Sequence, residues 1–317
     1  MVTLTLWPLG RWREALPAFR AIRPQRIMLH SDPRSLLGTG PTVLAALRKE
    51  LGYPFEAWAG VGFDSGQQAA RTLTGDALRA HLSALPRIRL DSAKAALELG
   101  ASRLMLDPES AWKRLKSGHL PGFGPEDARE AVSMIRAALP SGFPVWATSY
   151  DWPTAHPTFP WNAWSVDGWA PQIYAYPEKG PAVPGLGAWR LREHLAHWKV
   201  DPTVAADYRI SPAAPREAYV AAYKVTTPDT TLIADAFSEV SFWAIPARLD
   251  PDGLRAAWAL SRVAALGYSG PGRVKAFQRA ERLTEDSKVG RGTLARIEAA
   301  SGDKCPWPFT APASDPV

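Results

Sequence analysis

The alternation of short apolar runs with longer amphipathic stretches constrains the fold of this chain most strongly. Such alternation predicts a parallel sheet whose strands are joined by helices. Eight strands favour an α/β fold of the closed (β/α)8 TIM-type barrel class, and the first strand lacks the Gly-x-Gly-x-x-Gly turn of open dinucleotide-binding sheets. The predicted strands are Val2–Trp7, Arg26–His30, Phe55–Phe63, Arg103–Asp107, Phe143–Tyr150, Gly168–Tyr174, Thr203–Tyr208 and Val240–Ile245.

Helical patterns lie between these strands, and a different pattern follows the last one. Pro86 predicts a break, or a division into two helices, within Gly75–Leu99. The other helices predicted in the barrel are Ser35–Leu51, Pro125–Leu139, Ala188–Val200 and Pro215–Val225. Beyond the last strand the pattern is helical, so we predict a barrel over 1–250, a small all-α three-helix module over 251–301 and a Pro-rich tail over 302–317.

Charge and composition limit the partners of the chain. Its net charge of +6 favours a polyanionic partner, such as nucleic acid or an anionic cell wall. The excess of Arg over Lys and the single Asn fit either a GC-rich genome or a heat-adapted protein. Because Cys305 is the only cysteine and no Cys/His cluster occurs, we expect no disulfide, metal or cofactor. No apolar run approaches ~18 residues and the N-terminus lacks secretory features, so we expect a cytoplasmic, monomeric protein without membrane insertion.

Two acids at the end of the fourth predicted strand point to catalysis. Catalytic residues of such barrels lie at the carboxyl ends of the strands, and Asp107 and Glu109, two residues apart, are expected on one side. Their mutual repulsion should raise one of the two pKa values; Glu109, close to Trp112, is the candidate general acid and Asp107 its catalytic partner. Alternatively, Asp107-Pro108-Glu109 only ends a strand and caps the next element.

Acids and aromatic residues occupy most of the other predicted strand ends. Aromatic faces stack on sugar rings and carboxylates bind hydroxyls or carry protons, so this set suits a sugar polymer. The second carboxylate that glycoside hydrolysis needs is one of Asp32, Asp64, Asp151 and Asp207. The predicted substrate-binding residues are Trp7, Asp32, Asp64, Tyr150, Asp151, Gln172, Tyr174, Asp207 and Trp243, and His30 is the only histidine expected near them.

A group of aromatic residues after the fifth predicted strand has two interpretations. Trp152, Phe159, Trp161 and Trp164 either wall a substrate groove or pack against one another within a loop. Tyr174 is similarly either a hydrogen-bonding residue of the site or a core residue with a solvated hydroxyl. No Gly-x-Ser-x-Gly sequence occurs, so serine hydrolysis is not indicated.

The Asp107-Pro108-Glu109 sequence at the end of a barrel strand resembles the Asp-x-Glu of the family 25 glycoside hydrolases, the barrel lysozymes of phages and bacteria. The Glu is the acid in that family, and the resemblance implies the same role for Glu109. Trp169, Gln172 and Tyr174 are similar to a Trp/Gln/Tyr set on a later strand of the family. The family's first-strand Gly-x-Asp-x-Ser pattern is absent, because this strand ends in Leu6-Trp7-Pro8.

The segment after the barrel resembles a peptidoglycan-binding helical module. The matching residues, in the order of the module, are Leu266-Gly267-Tyr268, Val274, Phe277-Gln278, Leu283 and Val289-Gly290-x-x-Thr293-Leu294. The resemblance implies a wall anchor, although the same positions would form the core of any three-helix unit. Its first helix, Leu254–Ala265, serves the module alone or is also the eighth helix of the barrel.

These features together predict a peptidoglycan glycosidase, a muramidase-type phage endolysin that stays in the cytoplasm of the producing cell until it is released to the wall. The alternative is a non-catalytic wall-binding or virion structural protein on a degenerate barrel, which the missing first-strand Asp favours. A peptidase or amidase lacks a zinc ligand set here, and the acid-rich strand ends would repel the phosphates of nucleic acid.

Overall fold

Eight parallel strands close into a barrel in which each strand pairs with its neighbours in sequence and β8 pairs with β1. The structure, a computed structural model, describes residues 1–64, 66–150, 156–172, 218–220, 227–247 and 249–309, with the backbone alone for 218–220, 227 and 229. The strands are β1 (Val2–Trp7), β2 (Arg26–Ser31), β3 (Glu56–Gly62), β4 (Arg103–Asp107), β5 (Val145–Tyr150), β6 (Gly168–Gln172), β7 (Ala218–Val220) and β8 (Val240–Pro246). The predicted α/β barrel is therefore observed.

Helices surround the barrel. Those of the described residues are α1 (Trp12–Ile22), α2 (Pro33–Leu51), α3 (Gln67–Thr72), α4 (Gly75–Glu98), α5 (Pro125–Ala138), α6 (Thr227–Asp235), α7 (Pro251–Ala265), α8 (Arg273–Ala280) and α9 (Arg291–Ser301). In the part of the chain that the structure describes, no helix combines the length and the apolar character needed to cross a bilayer.

Side chains alternate along the strands between two separate cores. Outward-facing residues such as Leu4, Leu29 and Leu104 belong to the large core between the sheet and the helices. The inward-facing residues of the second core form an apolar layer inside the barrel, packed against Trp146 and Trp243; they are Met28, Trp58, Met105 and Ala170. This layer is the floor on which the polar residues at the carboxyl ends of the strands lie, because side chains two positions apart face the same way.

Ion pairs fill the amino-terminal mouth of the barrel below this layer. Arg26 contacts Glu56 at 2.6 Å and Glu239 at 2.8 Å, and Arg103 contacts Glu239 at 3.3 Å. The Arg103 guanidinium carbon also lies 4.0 Å from the ring centroid of Trp58. Arg26 is 6% exposed, whereas the side chains of Glu239 and Glu56 are 19% and 38% exposed, so the buried guanidinium depends on these carboxylates for compensation.

Two predicted elements differ from the structure. α4 runs without interruption through Pro86, although Pro86 predicts a break. One lost backbone hydrogen bond is outweighed there by the packing of α4 against α2 and α5. The prediction of a helix over Pro215–Val225 is wrong at Ala218–Val220, which is β7. Pairing with β6 and β8 overrides the helix propensity of this segment, and the predicted seventh strand, Thr203–Tyr208, lies outside the described residues.

The three C-terminal helices are formed by the segments that resemble the wall-binding module. α7 packs against β1 and α1, as an eighth barrel helix would, and α9 packs against α7. Gln278 on α8 fixes the loop before α9, since its amide donates to Asp286 at 2.8 Å and its carbonyl accepts from the Ser287 amide at 3.0 Å. The division into a barrel and a separate module stays a prediction.

Candidate active site

Asp107 lies inside the carboxyl-terminal mouth, at the end of β4, and contacts side chains from two other strands. The Gln172 amide donates to Asp107 Oδ1 at 2.8 Å, and Asp107 Oδ2 lies 3.3 Å from His30 Nε2. Gln172 and His30 follow Ala170 and Met28 of the interior layer by two residues. The period of the strands therefore directs all three polar side chains to one point above the apolar floor.

Burial controls protonation at this point. Removal from water, reinforced by the nearby charge of Asp64, raises the pKa of Asp107 to about 8, although the Gln172 hydrogen bond opposes the rise. Burial also lowers the pKa of His30 to about 4. The Asp107 carboxyl is consequently protonated and the His30 imidazole neutral at neutral pH, so their contact is not an ion pair.

Glu109 lies just beyond the end of β4 and is only partly buried. Burial first, and then the charge of Asp107, raise the pKa of Glu109 to about 7. Asp107 and Glu109 are both partly exposed, but Asp107 is the last residue of β4 whereas Glu109 lies beyond the strand, further out in the mouth. A carboxyl group that is protonated near neutrality and reachable from solvent has the properties of a general acid.

Asp64, at the carboxyl end of β3, holds the turn that carries Glu109. Its carboxylate accepts from the backbone amides of Glu109 at 2.9 Å and Ala111 at 3.1 Å. The same turn is fixed on its other side, where the Ser149 hydroxyl donates to the Pro108 carbonyl at 2.7 Å. The Asp64 carboxylate is thus committed to the backbone of this turn, and its predicted binding of substrate stays a prediction.

Substitution of Asp64 tests this arrangement. Asp64→Ala removes the acceptors of two partly buried amides, and we expect a loss of about 2 kcal/mol in the free energy of unfolding. Asp64→Asn keeps one acceptor oxygen and should lose less. Urea denaturation of both variants measures the difference. Equal stability of wild type and Asp64→Ala would show that the two amides find other partners.

Aromatic rings border the mouth on two sides. Trp7 and Trp243, at the ends of β1 and β8, stack with centroids 5.8 Å apart, and the His30 ring meets Trp243 edge-on at 4.5 Å. On another side, the ring of Tyr150 at the end of β5 lies 3.9 Å from the ring of His156. Trp7, Trp243 and Tyr150 are each partly exposed, so their faces are available to a ligand.

Glycines on β3 make room for His30. A Cβ atom at Gly60 would lie 2.8 Å from Cδ2 of His30 and 3.0 Å from Sδ of Met28. Such distances are shorter than carbon–carbon contact allows, so any larger residue would displace the imidazole from Asp107.

The remaining predicted site residues have other positions. Asp32 is at the end of β2, but its carboxylate caps α2 by accepting from the amides of Arg34 and Ser35. Trp169 is 3% exposed and faces the outer core, where it contacts Trp161 at a centroid distance of 5.3 Å. Four predicted residues lie outside the described residues; they are Asp151, Trp152, Tyr174 and Asp207.

The aromatic loop after β5 packs internally. Phe159, Trp161 and Trp164 are at most 2% exposed, and Trp164 meets Trp112 at 4.5 Å. The interpretation of these three residues as a groove wall is therefore wrong. Their burial supports the turn that follows Glu109, because the Trp112 indole donates to the Phe63 carbonyl beneath it.

Two residues near the site are not among the predicted ones. Lys113 places its ammonium nitrogen 3.9 Å from the centroid of Tyr150, and His156 contacts the same ring. Lys113 follows Glu109 by only four residues, and this proximity in the sequence could have indicated that Lys113 lies near the site. No group of three His, Cys, Asp or Glu residues suited to a metal ion occurs among the described residues.

The chain is thus an α/β barrel with a cluster of carboxyl groups in its carboxyl-terminal mouth. No protein-family model matches the sequence, and no curated protein matches it. Similar solved structures include a GH18 chitinase from Pseudoalteromonas aurantia, with a TM-score of 0.49, 12% identity and coverage of 82% of this chain and 99% of that one. An α-L-fucosidase GH29 from Bacteroides thetaiotaomicron has a TM-score of 0.47 and 8% identity over 82% of this chain and 61% of that one. A D-psicose 3-epimerase has a TM-score of 0.44 and 10% identity, with coverage of 95% of this chain and 99% of that one. At these values the assignment of function depends on the site itself.

Proposed function

We propose that the protein is a glycoside hydrolase in which Glu109 is the general acid. The observation that carries this proposal is the position of Glu109: a partly exposed carboxyl group in the barrel mouth with its pKa raised to about 7. In glycoside hydrolysis such a group protonates the oxygen of the departing sugar as the glycosidic bond breaks. The backbone hydrogen bonds to Asp64 hold the donor in place.

Neighbouring acids support the same chemistry. The positive charge that develops on the sugar ring needs negative charge nearby. Burial raises the pKa of Asp64, amide hydrogen bonds from Glu109 and Ala111 oppose that rise by favouring the ionised form, and the charge of Asp64 acts on both Asp107 and Glu109. Burial, the largest cause, keeps the pKa of Glu109 high, while Gln172 donates a hydrogen bond to the Asp107 carboxyl and His30 lies 3.3 Å from it.

The aromatic border suits a sugar. The stacked pair of Trp7 and Trp243 and the ring of Tyr150 offer flat apolar faces beside the carboxyl groups. A pyranose ring presents its C–H groups to such faces and its hydroxyls to carboxylates and amides. We therefore propose a carbohydrate polymer as the substrate class.

Peptidoglycan is the polymer that we propose. The resemblance of Asp107-Pro108-Glu109 to the barrel lysozymes, the C-terminal resemblance to a wall-binding module and the net charge of +6 support this choice. Release from a phage-producing cell, and a cytoplasmic location before release, stay predictions.

Digestion of purified peptidoglycan tests the proposal. We expect new reducing ends in the soluble fraction, together with muropeptides whose stem peptides remain attached to sugar. Binding without new reducing ends would favour the non-catalytic wall-binding alternative. Cleavage of other glycans but not of peptidoglycan would refute peptidoglycan as the substrate, while the proposal of a glycoside hydrolase would stand.

The pH dependence follows from the protonation of Glu109. A general acid is active only while it holds its proton, and the pKa of Glu109 is about 7. We expect kcat/KM to fall about tenfold for each pH unit above this value. Initial rates on a soluble glycan between pH 5 and pH 9 measure the profile. A decline that begins near pH 4.5 would instead indicate an acid in an ordinary aqueous environment.

A further inference from the structure

The loop between β4 and α5 carries a concentration of positive charge next to the acids. Lys113, Arg114 and Lys116 fall within four positions, and no acid occurs between Glu109 and Glu126. This loop begins directly after the turn of Glu109, at the carboxyl-terminal mouth. Three cations in such a short segment repel one another, and an anion that binds among them would remove this repulsion.

Lys113 connects the loop to the candidate active site. Its ammonium nitrogen lies 3.9 Å from the centroid of the partly exposed Tyr150 ring, and the charge of Glu109 acts on it. Lys113 is itself half-buried, and burial lowers the pKa of its ammonium group. The positive charge of the loop therefore extends from the protein surface to the edge of the proposed catalytic acid.

Backbone hydrogen bonds hold the main chain of the loop in place. The Arg114 amide donates to the Thr158 carbonyl at 2.9 Å, which ties the loop to the segment after β5. Leu115 and Gly118 exchange two backbone hydrogen bonds, of 2.9 and 3.1 Å, and so close a tight turn with Lys116 in it. A preorganised cationic loop loses little freedom when it binds a ligand.

Among the described residues, the cations of the loop form no ion pair with an acid, in contrast to several other surface arginines. Arg20, Arg136 and Arg279 contact Glu50, Asp167 and Glu285 at 2.7–2.9 Å. Within the described ranges no acid forms an ion pair with Lys113, Arg114 or Lys116, and Arg114 and Lys116 are exposed. Their charges are available to a partner from outside the chain.

We propose that the loop Lys113–Lys116 is a binding subsite for an anionic group, a carboxylate or a phosphate, carried by the glycan beside the bond that is cut. This assignment rests on the proposed function for the glycan, and it adds that the preferred glycan is negatively charged. The cations bind a charged substituent on the sugar chain and so place the chain across Glu109. Ionic contacts of this kind strengthen association and weaken with added salt.

The test compares two double variants that remove the same charge. Arg114→Gln with Lys116→Gln neutralises the loop, whereas Arg48→Gln with Lys49→Gln neutralises two exposed cations in the last turn of α2, at the opposite end of the barrel. Binding is measured by affinity electrophoresis of the full chain in gels that contain carboxymethyl-chitin, phosphorylated chitin or neutral glycol-chitin. The three polymers share one backbone and differ in charge.

We expect the loop variant to bind at least one charged polymer about tenfold more weakly than wild type, with unchanged binding to glycol-chitin. The α2 variant should behave as wild type on all three. A loss confined to the carboxymethylated or the phosphorylated polymer identifies the anion. Three outcomes overturn the subsite: no loss in the loop variant, an equal loss in both variants, and an equal loss on the neutral polymer.

Reducing-end release from the same polymers, and from peptidoglycan, separates this proposal from the preceding one. If the loop variant loses binding to charged glycan but the wild-type protein cleaves no glycan, the proposed subsite stands and the proposed hydrolase activity is refuted. A protein that cleaves glycans with no dependence on the loop would refute the subsite alone.

Discussion

Replacement of Glu109 by Gln is expected to reduce the release of reducing ends from glycan by about 10³-fold. The amide has nearly the shape of the carboxyl group but has no acidic proton to give to the departing sugar oxygen. Since the Glu109 backbone, and not its side chain, makes the hydrogen bond to Asp64, the turn should keep its structure. Binding to purified cell walls, measured by sedimentation with the insoluble glycan, should persist.

Glu98→Gln provides the matched control for this experiment. Glu98 is an exposed residue in the last turn of α4, away from the carboxyl-terminal mouth, and its replacement removes the same charge. We expect wild-type rates from this variant. Undiminished cleavage by the Glu109→Gln protein would exclude Glu109 as the acid and transfer that role to another carboxyl group.

Replacement of Asp107 by Asn is expected to stabilise the fold at alkaline pH. The pKa of Asp107 is about 8 in the folded protein and about 3.8 in an unfolded chain. Between these values the unfolded state loses the proton that the folded state retains, so the stability of wild type falls as the pH rises from about 4 to 8. Asn carries no charge and avoids this loss. The advantage of Asp107→Asn in the free energy of unfolding should be on the order of 3 kcal/mol at pH 9. This is less than the full pKa difference of Asp107 implies, because the ionisation of Asp107 is coupled to that of Glu109.

Urea denaturation at pH 5 and pH 9 measures this advantage as a difference between the two conditions. Asp76→Asn is the control, because Asp76 is exposed in the first turn of α4. We expect its effect on stability to change little with pH. An Asp107→Asn protein that is no more stable than wild type at pH 9 would show that Asp107 ionises without cost inside the barrel.

Much of the barrel can be predicted because buried strands leave a clear pattern. β1 and β4 have the predicted bounds, and the other strands up to β6, together with β8, overlap their predicted ranges. β7 is only three residues long, and it is a strand because it pairs with β6 and β8. A local pattern does not contain such a tertiary requirement.

The site is partly predictable for the same reason. A period of two places Asp107, Gln172 and His30 at the end of one interior layer, and their contact follows from closure of the barrel. The commitment of Asp64 to backbone amides could not be predicted, since it depends on the path of the turn after β4. The burial of the aromatic loop was equally undetermined, because exposed and packed aromatic loops have the same composition.

The ion pairs of Arg26 and Arg103 with Glu56 and Glu239 have a consequence for any polymer that meets this protein. Together with the apolar layer above them, these ion pairs close the amino-terminal end of the barrel, so in the part of the chain that the structure describes the interior opens at the carboxyl-terminal mouth. Under the proposed function, a sugar chain therefore cannot pass through the barrel, and its fragments have to leave on the side from which the chain arrived.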